Sequence, residues 1–311
     1  MRPLLLVLLL LGFCAACIAV LAFLPDRAEA PGSHSAPAPP QRMVSTVPSI
    51  TEVLVALGLC DKLVGVSDFC KLPPECGEKR RVGGYFDPDY EAFLELKPDL
   101  VLTMPQQSDL RRKLETLGLR TLVVRQEDIA GILGSIIMVG KACGVAERAE
   151  ELVAGLRRRI EAVERSVRGL RRPRVLVCVE RSVGSGGLED IFAAGGTSFY
   201  QELIEKAGGV NVLSAVRAQY PSVSKEEVLK LDPEVIVDLV PGLGERGLSA
   251  GEAEAEWNEL KTVAAVRAGR VYLIADRDAV VPGPGIVGFL EKLAAILHPE
   301  LREAKRGGRR L

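Results

Sequence analysis

One long amphipathic helix constrains the fold of this chain more than any other feature. Apolar residues recur at steps of three or four, which places them on one face of a continuous helix: Val145, Ala149, Leu152, Leu156, Ile160, Val163, Val167 and Leu170. A helix of that length spans about 39 Å, which is more than one small lobe requires. Pro173 ends it, and a new apolar run begins at 174–180. The helix therefore predicts a rigid connection between two halves of the chain.

Short apolar runs alternate with helical periods on both sides of this helix, a pattern typical of an α/β protein. In the first half, strand-like runs occupy 43–47, 64–66, 100–104 and 121–124. We predict an α/β fold of two lobes joined by one long rigid backbone helix, with a ligand cleft between the lobes. The expected divisions are an N-terminal lobe at 42–142, the backbone helix at 143–172 and a C-terminal lobe at 173–311.

A weak internal repeat relates the two halves. Residues 91–99 and 226–234 both read E-x-x-L-x-L-x-P-[DE], and an apolar strand follows each. The repeat favours an origin by duplication and gives Glu91 and Glu226 equivalent positions at helix starts. A symmetric pair of exposed carboxylates suits docking to a symmetric basic partner better than it suits catalysis.

The N-terminal segment, residues 1–30, is predicted to direct export. It contains a long apolar stretch behind a single basic residue, and that stretch is long enough to span a bilayer. Three outcomes stay open: cleavage after an A-x-A site at Ala30, lipidation at Cys17 in a sequence that resembles a lipoprotein box, or retention as a membrane anchor. Each places the body outside the cytoplasmic membrane. The Pro/Ala-rich linker at 31–41 would hold the body away from a surface.

Composition excludes several classes of function. Lys+Arg 40 against Asp+Glu 41 gives a net charge of −1, so nucleic acid is not an expected partner. The two histidines, His34 and His298, cannot build a multi-histidine metal centre, and we predict no metal site. His298 is expected to cap a helix end. Residues 283–288 match G-x-G-x-x-G but lack a following βαβ unit, so a dinucleotide-dependent extracytoplasmic oxidoreductase is a remote alternative.

Two of the seven cysteines lie in the leader, which leaves an odd number in the body and at least one unpaired thiol. Cys143 and Cys178 fall in helix and strand patterns and are expected to be buried thiols. Cys60, Cys70 and Cys76 lie in loops. A disulfide between Cys70 and Cys76, or between Cys60 and either of them, is compatible with an extracytoplasmic location, and the sequence leaves the pairing open.

Polar and aromatic residues that follow strands are the candidates for a binding site, because crevices in α/β folds form there. Together they would line an amphipathic cleft suited to a large planar or polycyclic ligand. The predicted ligand-binding residues are Ser45, Pro48, Ser49, Phe69, Cys70, Tyr85, Phe86 and Gln106 in the first half and Tyr220, Asp276 and Pro284 in the second. Further candidates of the same kind are Ser67, Asp68, Met104 and Gln107 in the first half and Glu180, Arg181, Phe199, Tyr200, Pro282 and Gly283 in the second.

Four segments carry a resemblance to a known family: VPSITEVLVALGLCDKLVGVSDFCKLPPE at 47–75, RVGGYFDPDYEAFLELKPDLVL at 81–102, YPSVSKEEVLKLDPEVIVDLVPG at 220–242 and PGPGIVGFLEKLAAILHPE at 282–300. They resemble the helical-backbone (class III) substrate-binding proteins of ABC importers. Within that family the chain is most similar to the vitamin B12 (corrinoid) receptors and their iron-siderophore relatives. The resemblance extends over residues 42–302.

This resemblance implies a receptor, not an enzyme, that captures a corrinoid between two lobes with limited closure. The alternative ligand is a ferric siderophore or haem, and no resident cofactor is expected. The implied partners are an ABC permease and its ATPase subunits, docked through Glu91 and Glu226. The protein would be a periplasmic or extracytoplasmic monomer, tethered to the cytoplasmic membrane by its N terminus.

The resemblance also implies which aromatic residues pack on the corrin, namely Phe69, Tyr85 and Tyr220. This chain departs from the family pattern in two places. The B12 receptors carry tryptophan at the positions of Tyr85, Met104 and Tyr220. Their closing motif often reads Gly-Pro-Arg, where this chain has Gly285 in place of the arginine.

Overall fold

The computed structural model of the protein describes residues 38–301. The helices are α1 (Pro48–Ala56), α2 (Tyr90–Leu96), α3 (Ser108–Thr116), α4 (Ile129–Ala142), α5 (Ala146–Val167), α6 (Phe199–Lys206), α7 (Lys225–Leu231), α8 (Ala250–Ala255), α9 (Ala264–Arg267) and α10 (Ile286–Leu297). The strands are β1 (Met43–Ser45), β2 (Leu63–Val66), β3 (Arg80–Arg81), β4 (Leu100–Thr103), β5 (Thr121–Val123), β6 (Arg174–Ser182), β7 (Glu189–Ala193), β8 (Val210–Asn211), β9 (Val235–Leu239) and β10 (Val271–Ile274). The predicted export signal, Cys17 and His34 lie outside the described residues.

The N-terminal lobe is built on five parallel strands in the order β3-β2-β1-β4-β5. Strands β1 and β4 consist entirely of buried residues, as expected in a parallel sheet whose two faces are both covered. The carboxyl ends of parallel strands lie at one edge of a sheet, so the loops after β1, β2 and β4 leave from the same edge. These loops carry most of the predicted ligand-binding residues.

The C-terminal lobe has a mixed sheet in the order β10-β9-β6-β7. Strands β10, β9 and β6 are parallel, β7 runs antiparallel to β6, and the short β8 pairs with the start of β6. The prediction of two α/β lobes is confirmed. None of the helices between residues 38 and 301 is long and apolar enough to cross a membrane.

Helix α5 lies between the two sheets in sequence and has 22 residues, or about 33 Å. It ends at Val167 instead of the predicted Leu170, because Gly169 adopts a left-handed φ of 81° that terminates the helix. Its buried face follows the predicted stripe with one change: Val153 is buried, whereas Leu152 is only partly buried.

The largest cluster of buried apolar residues in the described region spans both lobes, whereas three smaller clusters each lie within one lobe. A single cluster of buried apolar residues extends from Met43 on β1 through Leu156 on α5 to Phe289 on α10. Helix α5 packs against α4 on one side and against α6 and α10 on the other. A second link crosses between the lobes where the Glu202 carboxylate on α6 accepts a hydrogen bond from the backbone N–H of Ile129, at 3.1 Å. The connection between the lobes is therefore packed along its length.

The repeat found in the sequence is also a repeat in structure. Helices α2 and α7 each have seven residues, and each ends at a non-glycine residue in the left-handed region, Lys97 (φ 44°) and Asp232 (φ 38°). Proline follows in both copies and prevents the helix from continuing. The two segments thus share the same start, length and termination.

An arginine at the start of the first strand of each lobe, Arg42 just before β1 and Arg174 at the first position of β6, stabilises its copy of the repeat. The Arg42 guanidinium donates to the carbonyl of Leu96 at 2.7 and 3.1 Å, and the Arg174 guanidinium donates to the carbonyl of Leu231 at 3.0 Å. In each copy the final acidic residue accepts the backbone N–H of that arginine. The distances are 3.0 Å from Arg42 to Asp99 and 2.9 Å from Arg174 to Glu234. This shared bonding supports the duplication inferred from sequence.

Candidate functional site

Three contacts join the two lobes beside the strand-end loops. Lys71 forms an ion pair with Glu245, and the Arg277 guanidinium donates to the carbonyl of Phe69 at 3.0 Å. The third contact is made by Glu52 on α1, whose carboxyl group accepts the backbone N–H of Gly285. The loop that follows β2 therefore faces the loops at 242–246 and 276–285 of the C-terminal lobe. The region between these loops is the candidate ligand cleft.

The N-terminal lobe presents three exposed aromatic residues to this region. Phe69 lies in the loop after β2, and Tyr85 and Phe86 lie in the loop after β3. The rings of Tyr85 and Phe86 meet edge to face with centroids 4.9 Å apart, and Phe86 is 94% exposed. Large apolar rings held in water at a cleft indicate a surface that a ligand covers.

A disulfide and an arginine hold the loop that carries Phe69 in place. A disulfide joins Cys60 to Cys76 with the Cα atoms 5.0 Å apart. Within the loop, the Arg81 guanidinium donates to the carbonyls of Ser67 at 2.9 Å and Cys70 at 2.8 Å. The structure thus selects one of the pairings that the sequence left open. Cys70 is a free, buried thiol, as are Cys143 and Cys178.

Three predicted ligand-binding residues lie inside the N-terminal lobe instead of on its surface. Ser45, Ser49 and Cys70 are all buried, because the first turn of α1 covers the end of β1. The Thr51 hydroxyl donates to the Ser45 hydroxyl at 2.8 Å and lies 3.1 Å from the Cys70 sulfur, which is itself 3.2 Å from the Ser67 hydroxyl. This small polar cluster ties α1 to the loop after β2. Ser45, Ser49 and Cys70 are therefore not exposed to the cleft, and Ser45 and Cys70 belong to this polar cluster instead.

The remaining predicted residues of the N-terminal lobe lie nearer the surface. Pro48 is partly buried at the first position of α1, and Gln106 is exposed after β4. The neighbouring Gln107 is buried; its side-chain oxygen accepts from the Thr46 hydroxyl at 2.6 Å and from the Met104 backbone N–H at 3.0 Å. Gln107 therefore shapes the loop that presents Gln106.

The C-terminal lobe offers an aromatic pocket with a volume of about 310 Å³. Tyr200 is at its base, with its hydroxyl donating to the carbonyl of Ala279 at 2.8 Å. The ring of Phe199 lies 4.1 Å from that of Tyr200, and the Tyr220 ring meets Tyr200 edge to face at 6.4 Å. Phe192 and Tyr220 are exposed at the rim. The lining residues are Val179, Glu180, Phe192, Phe199, Tyr200, Tyr220 and Val280.

Glu180 is the only charged residue among those that line this pocket. Its side chain is exposed, and no ion pair to it is formed by residues 38–301. Burial raises the pKa of the Tyr220 hydroxyl, and more strongly that of Tyr200, above the ordinary tyrosine value. The pocket thus combines aromatic rings, two neutral hydroxyls and one carboxylate.

Arg181 does not line the cleft, because successive residues of β6 point to opposite faces of the sheet. Its buried guanidinium donates to the Asp238 carboxylate at 2.8 Å, pairs with Glu256 and donates to the carbonyl of Ala253 at 2.8 Å. Trp257 donates its indole N–H to the same Asp238 oxygen at 2.9 Å. This network attaches the segment at 249–260 to the sheet.

Asp276 and Pro284, both predicted to bind ligand, lie near the start of α10. Asp276 is exposed and pairs with Lys292, and Pro284 is partly buried. The side chain of Glu52, which belongs to α1, lies against the start of α10. Burial, and to a lesser extent the Asp278 carboxylate, raise the pKa of Glu52 to about 7. A pyrophosphate bound at this G-x-G-x-x-G would meet a carboxyl group where it needs N–H donors.

Among residues 38–301 no group of three or more His, Cys, Asp or Glu side chains could hold a metal ion. His298 is the C-cap residue of α10 and is buried, in agreement with the capping role predicted for it. It lies at the opposite end of α10 from the loop at 276–285.

Three of the residues that line the pocket were absent from the sequence-based candidates: Val179, Phe192 and Val280. Phe192 lies on β7 between Ile191 and Ala193, which are both buried, so it is an apolar residue on the polar face of its strand. That break in alternation was the available signal. Val280 has no comparable signal, because it lies in an irregular segment whose position only the fold determines.

Glu91 and Glu226 are both exposed in the first turns of α2 and α7. Backbone N–H bonding and the neighbouring Ser224 hydroxyl lower the pKa of Glu226. The N-cap residues Asp89 and Ser224 accept hydrogen bonds from the third helical residue in both copies. The repeat reaches further back, because Tyr85 and Tyr220 each precede their glutamate by the same number of residues.

Comparison with known proteins identifies the fold family. An uncharacterized ABC transporter substrate-binding lipoprotein, YvrC, of Bacillus subtilis is 29% identical over 270 residues, which are 84% of this chain and 81% of that protein. The vitamin B12-binding protein of Vibrio parahaemolyticus is 25% identical over 214 residues, 68% of this chain and 75% of that protein. A crystal structure of a periplasmic heme binding protein from Pseudomonas aeruginosa superposes with a TM-score of 0.71 at 25% identity, covering 84% of this chain and 93% of that chain.

Family, lobes and cleft agree with one another. Two α/β lobes on one packed helix are the architecture of class III substrate-binding proteins of ABC importers. The model of the periplasmic binding protein family matches residues 43–277, which include both sheets and helix α5. The chain belongs to the periplasmic binding protein family.

Proposed function

We propose that this protein is the extracytoplasmic receptor of an ABC importer and that it captures a corrinoid for delivery to the membrane permease. The observation that carries the proposal is the pairing of exposed aromatic residues on the N-terminal lobe with an aromatic pocket on the C-terminal lobe whose one charge is the Glu180 carboxylate. The protein works by binding alone, as a monomer, and catalyses no reaction.

The aromatic residues suit a ligand with a broad apolar ring. Phe69 and Tyr85 on one lobe and Phe192 and Tyr220 on the other are all exposed. Covering such rings with a flat macrocycle removes apolar surface from water on both sides at once, which favours binding. A large, rigid ring system uses this arrangement better than a small flexible molecule does.

The charge of the pocket favours a corrinoid over haem. The corrin ring carries neutral acetamide and propionamide side chains, whose N–H groups can donate hydrogen bonds to a carboxylate such as Glu180. Haem carries two propionates, and ferric catecholate siderophores are anionic, so Glu180 would repel them at short range. The name of the Vibrio parahaemolyticus relative supports the same choice.

The alternative ligand is haem or a ferric siderophore, and one observation favours it. Tyr85 and Tyr220 are both exposed in the cleft region, and a tyrosine oxygen can bind ferric iron. The raised pKa of Tyr220 works against this ligation, because the phenolate form is then harder to reach. We therefore place the corrinoid first.

Binding should leave the cobalt without a protein ligand. The described histidine, His298, is buried at the far end of α10, and the free thiols are buried as well. Recognition is then by apolar contact and hydrogen bonds. The family resemblance assigns Glu91 and Glu226 to docking with the permease and ATPase assembly. The N-terminal segment, by signal anchor or by lipid at Cys17, tethers the receptor to the cytoplasmic membrane.

The test is calorimetric titration of the full-length protein, purified in mild detergent, with hydroxocobalamin, dicyanocobinamide, hemin, ferric siderophores and NAD⁺. We expect saturable 1:1 binding of the two corrinoids, with no new cobalt–nitrogen or cobalt–thiolate band in the absorption spectrum. Saturation by hemin or a siderophore alone would move the assignment to the alternative ligand, and saturation by NAD⁺ alone would support the oxidoreductase.

A further inference from the structure

Exposed large apolar side chains are few in this protein, and most of them have a place in the cleft. Among residues 38–301 there are nine, of which five belong to the cleft region: Phe69, Tyr85, Phe86, Phe192 and Tyr220. Two of the other four, Leu94 and Leu229, occupy the same position in the two copies of the repeat. An exposed apolar residue in both copies is a recurring feature that packing within the lobes does not explain.

Each leucine lies beside a glutamate on the surface of its helix. Leu94 follows Glu91 by three residues on α2, and Leu229 follows Glu226 by three on α7, a spacing that puts the side chains on the same face. Leu94 is 45% exposed and Leu229 is 41% exposed. The residues just before them, Phe93 and Val228, are buried and supply the contacts that hold each helix to its lobe.

We propose that Leu94 and Leu229 complete a repeated docking surface, one Glu–Leu pair on each lobe, for a permease whose two like subunits each offer a cation beside an apolar socket. The inference rests on the proposed receptor function and adds an apolar contact to the two carboxylates. The partner that fits is a dimer of repeated sockets, since the receptor repeats the same pair.

The carboxylates and the leucines would contribute to docking in different ways. The carboxylates attract and orient the partner at long range, and dissolved salt screens that attraction. The leucines contribute only once water leaves the contact, and salt does not screen their contribution. The charges around the two pairs differ, because Glu95 follows Glu91 by one turn where Lys230 follows Glu226. The Glu–Leu pair is therefore the part of the surface that is the same on both lobes, and the leucine is its uncharged part.

The test compares L94S/L229S with wild type in proteoliposomes that contain the permease and ATPase subunits of the importer, with hydroxocobalamin as ligand. Wild type would bury two half-exposed leucines when it docks, and the variant would not. The variant should therefore need about tenfold more receptor for half-maximal ATPase stimulation. This fold-increase should be about the same at about 0.05 M and about 0.5 M NaCl, because salt does not screen the leucine contribution, whereas the defect of E91A/E226A should shrink as salt rises. Hydroxocobalamin affinity should be unchanged.

The matched control is M138S, because Met138 on α4 is 39% exposed and belongs to neither surface. It should stimulate like wild type. If L94S/L229S also stimulates like wild type while E91A/E226A does not, the apolar part of the surface is overturned and the receptor function stands. If wild type neither binds hydroxocobalamin nor stimulates the ATPase, the receptor function fails, and this inference fails with it.

Discussion

The two lobes share one structural unit and differ in almost everything placed around it. In both, a short helix carries an exposed glutamate in its first turn and is followed by a residue in the left-handed region. An arginine at the start of a central strand donates to the last carbonyl of that helix. The cleft surfaces, by contrast, are built differently. The N-terminal lobe presents its aromatic residues on loops, whereas the C-terminal lobe places Phe192 on a strand and Tyr200 on a helix. The two lobes therefore share the helix and its bonding and differ in the surfaces that face the cleft.

The lobes also differ in how one peripheral segment of each is attached to the rest of the lobe. A disulfide closes the loop that carries Phe69 in the N-terminal lobe. In the C-terminal lobe the segment at 249–260 is attached by the buried guanidinium of Arg181 and its two carboxylate partners. A covalent link restricts the unfolded chain, whereas a buried ion network depends on every member being present. The predictions below test this difference, beginning with the largest effect.

Replacing Arg181 with methionine should be the most destabilising change. It leaves the Asp238 and Glu256 carboxylates buried without their cation, a situation that costs about 3–5 kcal/mol of unfolding free energy. Urea denaturation of R181M against wild type measures the loss. The control is R158M, because Arg158 lies on the exposed face of α5 and its replacement should stay within about 0.5 kcal/mol. Equal stability of R181M and wild type would show that the network contributes nothing.

Removing the disulfide should have the next largest effect. The double variant C60S/C76S loses a closed loop with a sequence separation of 16, which corresponds to about 3 kcal/mol of unfolding free energy. The thermal midpoint should fall accordingly, and hydroxocobalamin affinity should fall with it because Phe69 is less well positioned. A dithiol reductant supplies the control: it should lower the midpoint of wild type and leave the variant unchanged. A reductant effect of equal size in both proteins would place the sensitive group elsewhere.

The carboxyl group of Glu52 lies where the two lobes meet, and its titration should make the stability of the protein depend on pH. Its pKa is about 7 in the folded protein against an ordinary 4.5, so the folded state holds the proton more tightly than the unfolded state. Wild type should therefore lose stability as pH rises from about 4.5 to 7, with the full loss present above 7. E52Q carries no such charge and should be more stable than wild type at pH 8 by roughly 1–3 kcal/mol, and close to it at pH 5.

The measurement for Glu52 is unfolding free energy by urea at pH 5 and at pH 8. The exposed Glu254 provides the control, since E254Q should follow the pH profile of wild type. Parallel profiles for E52Q and wild type would mean that the carboxyl group is ionised throughout this range.

The smallest expected effect concerns ligand choice in the C-terminal pocket. E180Q removes the one charge among the lining residues, so hemin affinity should rise about tenfold while hydroxocobalamin affinity changes by less than that. Competition titrations with the two ligands measure the ratio directly. E150Q removes an exposed carboxylate on α5 and should leave the ratio as it is. A ratio unchanged by E180Q would remove the electrostatic argument against haem.

The long helix and the internal repeat were the most predictable features of the molecule. Helix α5 and the repeat follow from spacing alone, because a stripe at steps of three and four, and a Pro after a short helix, have one structural solution each. Details that depend on which face of an element is covered were less predictable. Leu152 and Val153 are adjacent in sequence, and only the packing against α4 and α10 determines that Val153 is the more buried of the two.

The candidate site was predictable in its aromatic residues and less so in its polar ones. Phe69, Tyr85, Phe86 and Tyr220 are exposed in the cleft region, as their loop positions suggested. Ser45 and Cys70 both contact the Thr51 hydroxyl beneath the first turn of α1. No local sequence signal reveals this arrangement. The choice of Cys76 as the partner of Cys60 likewise depends on distances that only the folded chain defines.

The core shared by the two lobes determines how the protein loses its structure. Because Met43, Leu156 and Phe289 belong to one apolar cluster, neither lobe can open without exposing residues that the other lobe needs buried. Because this cluster spans both lobes, we expect the lobes to lose their structure together and not one after the other. A ligand that binds only the folded protein should then protect residues of both lobes from hydrogen exchange and proteolysis.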